Sequence, residues 1–269
     1  MAKYISLLLC LLLGTNIFAQ ENETGAWLGL SNYYGDLNTN ASLKYVRPAG
    51  GVIYRHNFSD YIALRGGLSL GFIGFKDSAN PRPFQQARNL SFTSHIVELS
   101  GQMEFSFMQF KPGDKNHYFT PYLTLGLAAF HFNPKATYQG DTYVLADLGT
   151  EGQQNTDVSG VKPYRRLQMA LPFGLGFKYW IKGPWTFGAE FGYRFAFTDY
   201  LDDVKGVYVD NNILGGNNSD AANLADRSGE VGEVIGEAGR QRGDSVSKDA
   251  YVFLGVYLTR AIFTIKCPK

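Results

Sequence analysis

Seven charged side chains stand at alternate positions within apolar or glycine-rich stretches, and they are the first candidates for chemistry in this chain. Side chains alternate faces along a β-strand, so each charge would lie on the face opposite an apolar one. Gathered in one interior, four cations and three carboxylates would form either a packed ion-pair network or the lining of a selective pore. The near balance of charge favours the network, because buried charges need partners. The seven are Arg55, Arg65, Glu98, Glu104, Lys178, Glu190 and Arg194.

Histidine and serine offer a second possible chemistry, since some membrane proteins cut lipids with Ser-His-acid sets. His95 has Ser91, Ser94 and Glu98 near it in the sequence, and His131 falls close to another predicted strand end. No nucleophile elbow accompanies these residues. We therefore expect no enzymatic activity, with a lipid hydrolase at the membrane edge as the weaker alternative.

Carboxylates are also concentrated in one late segment that contains Asp199, Asp202, Asp203 and Asp210. Such oxygens could bind calcium, which prefers hard ligands, but the twelve-residue spacing of a calcium loop is absent. The sequence favours solvated loop carboxylates and indicates neither a metal nor a cofactor. Residues 211–247 are rich in Asn, Gly, Ser, Ala and Asp, a composition typical of a mobile segment.

Long β-strands are the elements that must position these groups. From Leu167 to Tyr179 every second residue is apolar, and the same alternation returns from Trp185 to Phe197. Runs of ~13 residues exceed the usual strand length of about 5–6. Tyr179 and Trp185 flank the turn between the runs, where a membrane-interface aromatic girdle would lie. The pattern predicts that the apolar face contacts lipid, and a soluble barrel is the alternative.

The same alternation predicts eight strands. Connections after the first, third, fifth and seventh strands are long and the others are short, which is typical of single-chain outer-membrane barrels. The sequence therefore predicts an all-β, eight-stranded antiparallel outer-membrane β-barrel with short periplasmic turns, long extracellular loops and both termini in the periplasm. The approximate strand bounds are 25–34, 49–58, 61–72, 92–110, 118–132, 167–179, 185–198 and 250–265.

The first residues predict export. Lys3 precedes an apolar run, and cleavage after Ala19 would fit a secretory signal peptide at residues 1–19. Residues 20–269 would then form one barrel domain, with residues 198–249 as its longest, partly mobile extracellular loop. A lipoprotein signal ending at Cys10 is the weaker alternative, because leucines rather than small residues precede that cysteine.

Composition narrows the class further. Aromatic residues make up 15% of the chain, with 31 glycines and 18% charged residues, which favours a β-barrel over a helical domain. After removal of the signal only Cys267 remains, so we expect no internal disulfide. A formal net charge of +1 without a basic cluster gives no support for nucleic-acid binding.

Two segments carry a resemblance to a known family. The first is Ser31-Asn32-Tyr33-Tyr34-Gly35-Asp36-Leu37-Asn38, followed by Arg47-Pro48, Tyr54-Arg55 and Asn57-Phe58. The second is FTDYLDDVKGVYVD at residues 197–210, followed by DAYVFLGVYL from residue 249. In these motifs, and over essentially the whole mature chain, the protein resembles the PorG-like outer-membrane barrels of the Bacteroidetes type IX secretion system.

The resemblance implies a non-enzymatic role in protein secretion and, in some bacteria, in gliding motility. It also implies partners: outer-membrane lipid around the barrel, and the periplasmic ring lipoprotein of the secretion system with its partner protein. The insertion at residues 211–247 departs from the compact loop of that family. A small OmpA-like structural barrel or passive channel is the alternative function.

Overall fold

A computed structural model of the protein describes residues 22–155 and 162–262. The predicted signal peptide and both cysteines lie outside the described residues. Ten strands are present in the described ranges, and eight of them are long. They are β1 (Asn22–Tyr34), β2 (Arg47–Asn57), β3 (Ile62–Lys76), β4 (Ser91–Ser106), β5 (Phe119–Phe132), β6 (Lys135–Tyr138), β7 (Asp141–Val144), β8 (Leu167–Lys182), β9 (Trp185–Ala196) and β10 (Ala250–Ile262).

The eight long strands form one closed antiparallel barrel. Each pairs with its neighbours in the order β3-β2-β1-β10-β9-β8-β5-β4, and β4 pairs with β3 to complete the cylinder. Because the barrel is closed, none of its eight strands has a free edge. Unpaired backbone groups at a free edge would be costly in hydrocarbon. The prediction of an eight-stranded antiparallel barrel is confirmed, and the short β6–β7 hairpin extends from one of its loops.

The barrel is apolar outside and polar inside, the reverse of a water-soluble core. Leu254 is 50% exposed on the outer face, whereas Arg194 is 4% exposed on the inner face. Strands of 11 to 16 residues suffice to cross a bilayer, which takes about 9–11 tilted residues. The inward and outward sets follow the predicted alternation. Val252 faces outward yet is buried, between Asn32 and Tyr193 of the adjacent strands.

The strand ends differ from prediction by a few residues. β3 continues to Lys76, and β4 ends at Ser106 rather than near Phe110. The ladder stops there because the backbone N–H of Met108 donates to the hydroxyl of Thr120 instead of to a carbonyl oxygen.

Loops at the two ends of the barrel are unequal, as predicted. Short connections at 58–61, 107–118 and 183–184 lie at the end where β1 begins and β10 finishes. The opposite end carries the long loops, with α1 (Pro83–Arg88), α2 (Leu145–Leu148), α3 (Asp220–Ala225) and the 3-10 turns Asp77–Ala79 and Ser228–Glu230. Within the described ranges, no helix has the length and apolar character needed to cross a bilayer.

Candidate functional site

Glu104 is the centre of the larger ion-pair group in the barrel lumen. Its two carboxylate oxygens lie 3.0 Å from Nε of Arg55 and 2.7 Å from Nζ of Lys178. Arg55 also donates to Glu23 at 2.7 Å, and Thr259 donates to the same carboxylate at 2.7 Å. These four charged side chains come from β1, β2, β4 and β8, so the network ties opposite sides of the barrel together.

Two further ion pairs lie in the lumen. Arg65 forms a bidentate pair with Glu190, with Nη2 2.8 Å from Oε1, and the hydroxyl of Tyr122 donates to that carboxylate at 2.7 Å. Arg194 lies 3.2 Å from Glu98. The hydroxyl of Tyr251 completes that pair by donating to Glu98 at 2.8 Å. The structure therefore brings each of the seven charges into contact with at least one of opposite sign.

Glu23 is a lumen carboxylate that the sequence analysis missed. It precedes the predicted start of β1, although it shares the alternation of Trp27 and Gly29 and could have been found by extending that pattern. With Glu23 included, the ion pairs described above contain four cations and four carboxylates, so the charge of this network is balanced. Balanced, hydrogen-bonded pairs are the arrangement that low-dielectric interiors tolerate.

Aromatic rings fill the space between the ion pairs. Lys178 lies 4.7 Å from the ring centre of Phe110, and Arg194 lies 4.6 Å from that of Phe253. The lumen cavity beside Arg65 and Glu190 has a volume of about 40 Å³, well below the ~300 Å³ at which sites for small ligands begin. Side chains therefore plug the barrel at this level.

The long-loop end is closed by residues 197–249, which we call the cap. The phenol of Tyr33 at the end of β1 donates to the carboxylate of Asp202 in the cap. The backbone N–H of Leu201 donates to Asp249 at 2.8 Å, and that of Asp244 donates to Asp36 at 2.7 Å. These contacts fix the cap to β1 and to the β1–β2 loop, and they join the first part of the cap to its last residue, just before β10.

Three of the four cap carboxylates singled out from the sequence are buried, and the interpretation of solvated loop carboxylates is wrong for these three. Asp199, Asp202 and Asp203 are buried and Asp210 is exposed. Burial is the main cause that raises the pKa of Asp199 to about 7 and that of Asp203 to about 6. Among the described residues, no three histidine, cysteine or carboxylate side chains converge to hold a metal ion.

Two buried arginines organise the rest of the cap. Arg88 of α1 pairs with Asp77 at 2.7 Å and donates to the backbone oxygen of Arg242 in the cap at 2.5 Å. Arg242 pairs with Glu151 at 2.9 Å. It also donates to the backbone oxygens of residues 203 and 225, at 2.7 and 3.0 Å. The expectation of a mobile segment at residues 211–247 did not anticipate these contacts.

Histidines 95 and 131 stack on each other at the outer wall, with ring centres 5.4 Å apart. Glu98 and Ser94 occupy the opposite, inward face of β4. Ser91 instead accepts a hydrogen bond from Arg227 at 3.1 Å. The Ser-His-acid set weighed from the sequence is therefore not assembled.

Aromatic side chains surround the β8–β9 turn on the outer face. Tyr179 and Trp185 are 44% and 42% exposed there. Tyr118 meets Tyr179 edge to face at 5.5 Å and is equally exposed, an addition that the sequence analysis missed. Amphipathic rings at this level suit the membrane–water interface.

Comparison with known proteins gives a family and several solved structures of low sequence identity. Ail of Yersinia pestis, in complex with the heparin analogue sucrose octasulfate, is 11% identical, with coverage of 90% of this chain and 99% of that chain and a TM-score of 0.40. Neisserial surface protein A is 9% identical, with coverage of 89% and 96% and a TM-score of 0.43. OprG from Pseudomonas aeruginosa is 9% identical, with coverage of 91% and 97% and a TM-score of 0.44.

Among curated proteins, none matches this chain significantly by sequence. Residues 2–221 match the family model described as Domain of unknown function (DUF6089). That match spans well over half of the 269 residues. The protein, a transmembrane β-barrel with a plugged lumen and a packed cap, therefore belongs to the DUF6089 family.

Proposed function

We propose that this protein is a non-enzymatic barrel of the outer membrane that serves type IX protein secretion. One observation carries the proposal: the two segments that resemble the PorG-like family pack together at the barrel mouth. Tyr33 and Leu37 of the first segment share a buried cluster with Leu201 and Val204 of the second. Segments 160 residues apart thus form one structural unit, which supports a common origin for the whole motif rather than two chance matches.

The plugged lumen supports an anchoring role rather than transport through the barrel. Among the described residues, the ion pairs of Glu104 with Arg55 and Lys178 span the lumen, and they would have to break before cargo could pass. In this proposal the barrel ties the periplasmic ring lipoprotein and its partner protein to the outer membrane.

The end with short turns is the proposed contact surface for the ring. This end carries the turns at 58–61, 107–118 and 183–184. The first residue of β1 and the last residue of β10 also lie there, because Asn22 pairs with Ile262. We place this end, and hence both termini, in the periplasm, because short turns face the periplasm in barrels of this class.

A gene deletion tests the role. Loss of the protein is expected to abolish export of cargo that carries a carboxy-terminal sorting domain, and the full chain supplied in trans is expected to restore it. Normal export in the deletion strain would exclude the secretion role.

Crosslinking tests the surface. A photoreactive residue at the exposed Lys115 of the 107–118 turn is expected to capture the ring lipoprotein or its partner. The same residue at the exposed Asn217 of the cap is the matched control and is expected to capture neither. Capture from Asn217 alone would contradict the proposed orientation.

A small OmpA-like structural barrel is the second candidate function. The lumen favours it, because the charged side chains of the ion-pair network are paired within the chain and need no partner protein. It predicts normal export but a more permeable envelope in the deletion strain. Planar-bilayer recording tests the passive-channel variant of this candidate. Steady single-channel conductance would contradict a lumen filled by Arg65, Glu190 and their neighbours.

A further inference from the structure

A groove of about 840 Å³ runs across the outer wall of the barrel. Its volume lies in the range of sites that hold a single small ligand, about 300–1,000 Å³. The groove exists because two of its outward residues are small, Ala26 on β1 and Gly66 on β3. A Cβ atom at position 66 would have no neighbour within 4 Å. Apart from Arg260, the larger outward side chains along it are apolar or aromatic, namely Val52, Tyr54, Leu68, Leu99, Trp185 and Leu258.

The groove climbs from the rim of the barrel into its membrane-spanning part. Trp185, at one end, is the first residue of β9, next to a short turn. Thr24 is the third residue of β1 and Gly66 is the fifth of β3. Leu99, at the other end, is the eighth residue from the end of β4. An occupant would therefore have one end at the membrane interface and the other in hydrocarbon.

Arg260 is the one cation among the described residues that line the groove, and it lies at the rim end. Arg260 faces outward on β10, in register with Thr24 on one side and Trp185 on the other. It is exposed, and among the described residues no carboxylate lies within ion-pair distance of its guanidinium group. A lipid-facing arginine is tolerated best near the interface, where its planar fork can bind a phosphate with two hydrogen bonds.

We propose that this groove binds one phospholipid with an anionic headgroup. Its phosphate would pair with Arg260 beside Trp185, and an acyl chain would lie over Ala26 and Gly66. The charge at the interfacial end and the apolar walls above it match the two parts of such a molecule. The proposal rests on the membrane-spanning fold and on the proposed orientation, and it is independent of any role in secretion.

Native mass spectrometry of the purified full chain tests the groove. The protein is exchanged into mixed micelles that contain equal amounts of phosphatidylglycerol and phosphatidylcholine, and bound lipids are counted. We expect one retained lipid, predominantly phosphatidylglycerol. The Gly66→Leu variant fills the groove and is expected to lower retention about fourfold or more, the effect of losing roughly one buried methylene contact.

The matched control is Gly101→Leu. Gly101 faces Gly66 across the β3–β4 pair, its Cβ position is equally open, and it does not line the groove. Retention by this variant is expected to equal that of the wild type. Should Gly66→Leu fail to fold, as judged by its heat-dependent gel migration, Ala26→Leu fills the same groove. Equal retention by wild-type and groove-filled protein would overturn the site.

Arg260→Gln tests the headgroup. This variant is expected to retain a lipid but to lose the preference for phosphatidylglycerol. Lys76→Gln removes an exposed cation at the opposite end of the barrel and is expected to leave the preference unchanged. A preference that survives in Arg260→Gln would exclude Arg260 as the headgroup contact, and a wild type without any preference would exclude an anionic ligand. Either result would overturn the proposal.

Discussion

The phenolic oxygen of Tyr33, the penultimate residue of β1, donates a hydrogen bond to the carboxylate of Asp202, which lies 169 residues further along the chain. The same oxygen lies 3.1 Å from Oδ1 of Asp249. A phenol has one proton, so two hydrogen bonds at this oxygen require a proton on one of the two carboxyl groups. Burial is the first cause that raises the pKa of both, and the charges of neighbouring carboxylates raise them further.

Because these carboxyl groups are buried, we expect the stability of the folded cap to fall as the pH rises. Burial raises the pKa of Asp36 to about 7 from an ordinary value of 3.8, although Arg88 and the N–H of Asp244 oppose the shift. Between about pH 4 and 7 the folded cap binds more protons than the unfolded one, so its stability falls as the pH rises through that window. Protection of the Leu201 and Val204 backbone amides against hydrogen exchange, corrected for the intrinsic rate, is expected to be lower at pH 8 than at pH 5 by at least about tenfold.

Variants in which an aspartate is replaced by asparagine test whether the buried carboxyl groups cause this loss of protection. Asp202→Asn removes one of the mutually repelling charges and is expected to flatten the dependence on pH. Asp210→Asn changes an exposed carboxylate of the same loop and is expected to leave it intact. A wild-type protection factor that stays constant or rises from pH 5 to pH 8 would contradict the assignment.

Glu104→Gln is expected to destabilise the barrel by about 3–5 kcal/mol, because the change leaves two buried cations, Arg55 and Lys178, without their shared carboxylate. Equilibrium unfolding in urea, with the protein in lipid vesicles, measures the loss. Glu230→Gln breaks a partly exposed pair with Arg227 and serves as the control, with an expected cost below about 1 kcal/mol. Similar unfolding midpoints for the two variants would show that the lumen pairs contribute little.

The sequence was sufficient to place these charges inside the barrel, because strand alternation assigns each residue to one face. Glu190 and Arg194 alternate along the sequence with aromatic residues that face outward, so the alternation alone places both charged side chains on the inner face. The choice of partner does not follow. Arg65 pairs with Glu190 across the lumen, 125 residues away, and such a contact depends on barrel closure and on the stagger between strands.

The cap could not be predicted in the same way, since loops have no alternation to interpret. Its composition favours mobility, yet Arg242 is 2% exposed and pairs with Glu151 from a different loop. The order of the cap depends on a few long-range contacts to single arginines and aspartates. Periodicity and average polarity carry no information about such contacts.

Close approach of β1 to β10 gives the last prediction. Gly29 pairs with Gly255, and a Cβ atom at position 29 would lie 2.1 Å from the backbone oxygen of Leu254 and 2.5 Å from Cα of Gly255. Because the obstacle is backbone, the strands would have to separate, and Gly29→Ala is expected to destabilise the barrel by about 1–3 kcal/mol. Gly66→Ala on the open outer face is the control, with an expected change within about 0.5 kcal/mol. Urea unfolding of both variants decides the matter: equal stabilities would mean that the two strands can part without cost and that glycine at position 29 is not required by the packing.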